Sequence, residues 1–86
     1  MPEISRFFGI VIFMYFNEHN PPHFRAKYND FRASISIKDL ALLDGVLPPR
    51  VLGLAVEWAG LHQKELMENW NSMKAKSEYK KIKPLE

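Results

Sequence analysis

His23-Phe-Arg-Ala-Lys-Tyr-Asn-Asp-Phe-Arg-Ala-Ser-Ile-Ser-Ile-Lys38 decides the fold. In its first half Phe24, Ala26 and Tyr28 alternate with His23, Arg25 and Lys27, the period-2 pattern of a strand with one face covered and one face wet. Asn29-Asp30 tolerates positive φ and suits a two-residue turn. The return run repeats the pattern, with Phe31, Ala33, Ile35 and Ile37 against Arg32, Ser34, Ser36 and Lys38. Counting outward from the turn pairs Tyr28 with Phe31, Lys27 with Arg32, Ala26 with Ala33, Arg25 with Ser34 and His23 with Ser36. The polar members then share a face.

Upstream, Asn17-Glu-His-Asn-Pro-Pro22 is a loop, because adjacent prolines neither extend a sheet ladder nor begin a helix easily. Before it, Phe7 to Phe16 is apolar at odd and even positions alike and reads as one central strand covered on both sides. Downstream, Leu40 to Leu47 holds an Asp44-Gly45 turn signal and reads as a connector, with only weak support for a further short strand. Pro48-Pro49 suits a helix start. Val51, Leu54, Ala55, Trp58, Leu61, Leu66, Trp70 and Met73 recur at helical spacing, with Gly53 and Gly60 weakening the helix and a bend or break expected near Gly60. The reading is an α+β protein, an antiparallel sheet of about three strands packed against a long or broken C-terminal helix. Residues 1–73 form the single domain and residues 74–86 a Lys-rich, mobile or partner-dependent tail.

The composition of these 86 residues agrees with one small folded unit: 47% are hydrophobic and none is cysteine, which excludes disulfides, thiolate metal sites and a cysteine nucleophile. The net charge of +2 is too mild to identify a nucleic-acid binder. The Phe7–Phe16 run is ten residues long, against about twenty needed to span a bilayer, so a soluble cytoplasmic protein without membrane contact is expected. Leu52, Val56 and Ala59 widen the apolar helical surface, and with the two-sided first strand they predict a homo-oligomer or a protein partner.

The shared polar face is the candidate site. Lys27 opposite Arg32 places like charges together, a repulsion that an anion relieves. In the functional reading His23 and Arg25 are catalytic, His23 exchanging protons and Arg25 forking onto phosphate or carboxylate, while Lys27, Arg32 and Ser34 hold the anion. In the plainer reading the same residues are a solvated sheet face. His19, His62 and Glu65 are supporting candidates, with His62, Glu65 and Asn69 sharing one side of the helix. A metal site is only weakly indicated, because the prolines between His19 and His23 prevent the helical turn that would make them converge, and neither metal nor cofactor is expected. The lysines of the tail, around Tyr79, suit either nucleic acid or plain solvent.

The opening Met1-Pro-Glu-Ile-Ser-Arg-Phe-Phe-Gly-Ile10, the loop block His19-Asn-Pro-Pro-His-Phe24, and Glu57-Trp58, His62, Glu65-Leu66 and Asn69-Trp70 together resemble the bacterial family catalogued as domain of unknown function 4160. The resemblance runs essentially end to end. It implies a small prokaryotic protein, commonly encoded beside another small domain and sometimes labelled a toxin–antitoxin or regulatory component, and it transfers no catalytic residue. Members usually carry a second histidine two residues after the motif histidine, where this chain has Arg25. Arginine is neither a base near neutral pH nor a ready metal ligand, so the change disfavours metal and favours anion binding.

Two functions follow. One is a toxin–antitoxin-like component that binds or cleaves RNA through its basic sheet face. The other is a non-catalytic protein-interaction or regulatory module acting with a partner protein. A DNA-binding regulator ranks behind both, for lack of a recognisable helix-turn-helix or ribbon signature.

Overall fold

The computed structural model describes every residue except Met1 and Asn17, so those members of the opening motif and of the loop lie outside the described residues. Five strands, β1 (Glu3–Phe7), β2 (Ile10–Phe13), β3 (His23–Tyr28), β4 (Phe31–Ser36) and β5 (Leu42–Val46), precede two helices, α1 (Pro49–Leu61) and α2 (Gln63–Lys76). The strands form one sheet in the order β1-β2-β3-β4-β5, antiparallel throughout.

The α+β class and the antiparallel sheet are as read from the sequence, and the strand count is corrected from about three to five. The Phe7–Phe16 run is not one strand. It breaks at Phe8-Gly9, where both residues take positive φ, 48° and 79°, and the chain reverses into a tight hairpin pairing Phe7 with Ile10. The Leu40–Leu47 connector contains β5, which pairs with β4 through a register shift between Ser34 and Ile35. That bulge erases the alternation by which a strand is recognised. Gly45 sits at φ 86° with its Cα against the Arg32 carbonyl, where a side chain would collide. The β3–β4 hairpin has the register counted from Asn29-Asp30, pair for pair.

Of the two helical forms expected, long or broken, the chain takes the broken one. Pro49 opens α1, and the chain breaks at His62 (φ −128°, ψ 25°), two residues beyond Gly60, before α2 begins. Gln63 fastens that junction to the turn after β4 by donating its amide to the carbonyls of Ile37 (2.8 Å) and Lys38 (3.2 Å). Both helices pack on one face. Phe24, Ala26, Ala33 and Ile35 are buried in one cluster with Val51, Ala55, Trp58, Leu66 and Trp70, and the Trp58 ring meets Phe7 at 5.4 Å and Phe24 at 5.9 Å.

The Lys-rich segment is not a loose tail. Lys74 and Lys76 belong to the last turn of α2, where cations complement the helix dipole. Beyond it Ile82 is buried, and its N–H bonds to the Ile4 carbonyl at 2.8 Å. An isolated isoleucine among lysines carries no periodic signal, so the pattern of the sequence does not announce it.

Ser5 is the unpaired polar group of this core: its buried hydroxyl makes no hydrogen bond among the described residues. Removing a buried, unpaired hydroxyl relieves its desolvation cost. Ser5→Ala is therefore expected to raise unfolding free energy by about 1 kcal/mol, read as a higher urea midpoint at unchanged slope.

Candidate functional site

The face away from the helices is built in rows by the register. One row runs Phe13, Arg25, Ser34, Asp44 across four strands, and the next runs Val11, Lys27, Arg32, Val46. Phe13 is buried although it lies outside the main core cluster. Tyr15 packs edge-on against it at 5.7 Å, and the Arg25 guanidinium lies 4.9 Å over the Tyr15 ring. The apolar content of β2 on both sides is thus used, with an aromatic and a cation rather than a helix closing the outer side.

Arg25 is held by a residue that the sequence reading did not single out. Glu18, in the loop, accepts both Nε–H (2.8 Å) and Nη2–H (2.6 Å) of Arg25 on its Oε1. Its other oxygen lies 3.7 Å from Nε2 of His23, and its side chain is only 17% exposed. His23 is buried. Its Nδ1 meets the Pro21 carbonyl at 2.8 Å, and because a carbonyl only accepts, Nδ1 carries the hydrogen. The ring rests 5.2 Å from that of Trp70. Glu18, His23 and Arg25 together therefore brace the Pro21-Pro22 loop against the sheet. Loop residues have no periodicity to flag them, so only the presence of an acid within reach of Arg25 hinted at Glu18.

The remaining candidates separate. Lys27 and Arg32 are directly opposed, and neither makes an ion pair among the described residues. Ser34 is buried at the floor of a cavity of about 70 Å³ lined by Phe13, Tyr15, Arg25, Arg32 and Asp44. Ser36 is turned to another use, its hydroxyl accepting the Asp39 N–H at 3.1 Å. His19 is exposed on the loop. His62 pairs with Glu65 at 2.7 Å, its ring 5.5 Å from that of Trp58, so its neighbours are not those of His23. Among the described residues no group of three His, Asp or Glu is placed to hold a metal ion. At the far side of the sheet the exposed Arg6 hydrogen-bonds Glu3 and holds that carboxyl below its ordinary value. The stabilisation is present above the ordinary carboxylate pKa and is lost as acid protonates Glu3, and it is small because the pair is solvated.

β5 differs from every other strand in being exposed along its whole length. Leu42, Leu43 and Val46 are 44%, 46% and 63% exposed, and Phe31 at the start of β4 is exposed as well. Of Leu52, Val56 and Ala59, expected to widen the apolar helical surface, Ala59 is fully buried in the core, Leu52 and Val56 are half-buried, and Leu52 packs against the core.

Fold and site together define a small α+β protein: an antiparallel five-stranded meander with a helix pair on one face and a braced polar surface on the other. Residues 9–71 match the family model described as Domain of unknown function (DUF4160), and the chain belongs to that family. No curated protein and no solved structure matches it. Among the described residues no helix is long and apolar enough to cross a membrane.

The brace is testable as a coupled pair. Glu18→Gln and Arg25→Met should each lower stability, and a double-mutant cycle should give a coupling of about 1 kcal/mol, reflecting partly shielded charge-assisted bonds. A coupling of zero in urea denaturation would make the contact incidental.

Proposed function

We propose that the protein is a non-catalytic interaction module that docks an acidic partner protein against the β5 end of its sheet. The observation that carries this reading is β5 itself: a strand exposed throughout, with Val46 directly opposite Arg32 and with Leu42 and Leu43 exposed further along it. Apolar side chains of this size on an outer strand gain from being covered. The cations Lys27 and Arg32, opposed and without acidic partners among the described residues, select a partner that brings carboxylates to the same edge. A two-gene module of the toxin–antitoxin kind, which the family resemblance suggests, would supply such a partner from the neighbouring gene.

Catalysis through His23 and Arg25 fits this geometry less well. A proton-transfer role needs substrate within hydrogen-bond reach of the free imidazole nitrogen, yet that nitrogen faces Glu18 and the ring is enclosed by Trp70. Arg25 would first have to leave Glu18. Co-expressed with the neighbouring gene product, the wild-type chain and His23→Gln should co-purify with it. Leu43→Asp/Val46→Asp should weaken binding by about tenfold or more, the scale of losing one buried apolar anchor. Undiminished binding by the β5 variant would overturn the assignment.

A second reading is favoured by one observation, the Lys27–Arg32 pair, which would bind the phosphates of RNA. Against it, Glu18 and Asp44 place carboxylates beside Arg25 and Ser34, and the apolar edge has no use for phosphate. On this reading affinity for single-stranded RNA falls linearly in log salt, and Lys27→Gln or Arg32→Gln each reduces the slope by about 0.7. A salt-independent affinity would eliminate it.

A further inference from the structure

The opposite edge of the sheet is already occupied, and its occupant has the form of a bound peptide. Residues 77–86 carry neither helix nor strand after α2, yet they are tied down at three points. Asn69, buried on α2, accepts the Lys80 N–H at 2.9 Å and donates to the Lys80 carbonyl at 2.8 Å. The Ile82 N–H bonds to the Ile4 carbonyl of β1 at 2.8 Å. The Trp58 indole N–H bonds to the Lys83 carbonyl at 2.9 Å.

All four bonds use the main chain of the segment. The side chain that the body encloses is Ile82, 4% exposed, with Leu85 partly buried behind it. Lys80, Lys81 and Lys83 point to solvent. Main-chain pairing for affinity with one enclosed apolar side chain for selectivity is how strand-addition sites recognise extended peptides. None of these contacts depends on the segment being covalently continuous with α2.

The connection is strained where it leaves the helix. Ser77 adopts the left-handed conformation, φ 56° and ψ 35°, which a residue with a Cβ adopts at a cost. Its N–H and that of Glu78 close the helix end on Met73 and Ser72 at 3.2 and 3.3 Å.

We propose that the cleft between β1 and α2 is an extended-peptide site, filled in cis by residues 78–86 and filled in trans by the same segment of a second copy, in a reciprocally exchanged dimer. The occupant follows from the contacts themselves, since this segment is the one whose fit is seen. Exchange preserves all four cleft bonds and releases Ser77 from its left-handed turn; it gives up the two bonds that close the helix end on Met73 and Ser72 and is opposed by the entropy of association, so its extent is set by concentration. The site lies on the other edge of the sheet from β5 and stands or falls independently of the function proposed above.

Two full-length variants test it. Ile82→Asp should empty the cleft, so that a fluorescent peptide of residues 77–86 binds it about tenfold or more tighter than it binds wild type, whose site is self-occupied. Adding Asn69→Ala should abolish that binding. Ser77→Val, which disfavours the left-handed turn, should raise the dimer fraction in light scattering, and Ser77→Gly should lower it. A folded Ile82→Asp chain that ignores the peptide, or a Ser77→Val chain that stays monomeric, would overturn the proposal. If Ile82→Asp does not fold, hydrogen exchange in wild type decides: the Lys80 and Ile82 amides should exchange about tenfold or more faster than those of Ala26 and Ile35, and equal rates would show a segment that never leaves.

Discussion

Trp58 occupies the point where the sheet, both helices and the C-terminal segment meet. Its ring is fully enclosed, with Phe7 and Phe24 on the sheet side and His62 on the helix side. Its indole N–H, which burial would otherwise leave unpaired at substantial cost, is satisfied by the Lys83 carbonyl. This fully enclosed tryptophan therefore obliges residues far along the chain to come back across the β1 side. A domain of 86 residues without cysteine has little core to spare, and this one side chain joins its parts.

The helix pair covers only one sheet face, so the other must be finished by different means. Phe13 is roofed by Tyr15 and Arg25, and Arg25 is in turn fixed by Glu18. The charged fork costs little to hold there because it sits over an aromatic ring and keeps part of its surface in water. What looks from the strand alternation like a basic patch is in its inner half a closed structural network. Its outer half, Lys27 on β3 opposite Arg32 on β4, makes no ion pair among the described residues.

The elements that the sequence makes legible are those with a local rule. Alternation on both sides of Asn29-Asp30 fixes the β3–β4 register, and spacings of three and four place the helical stripe. Where a local exception overrides the rule, the reading goes astray. Gly9, one residue in a run of apolar ones, turns the chain back on itself. The bulge opposite Ser34 and the kink at Gly45 hide β5. Glu18 and Ile82 act through long-range contacts that no window of sequence contains. The residues brought onto the polar face are thus largely those foreseen, but the acid that occupies Arg25 is not, and it alters what His23 and Arg25 are available to do.

Because Ile82 hydrogen-bonds to Ile4, the beginning and the end of the described chain sit at one corner of the molecule. β1 and β5 are the two outer strands, so that corner is remote from Leu43 and Val46. A fusion or surface attachment at either terminus would crowd the same edge and leave the far one facing outward, which makes the chain naturally oriented for immobilised display.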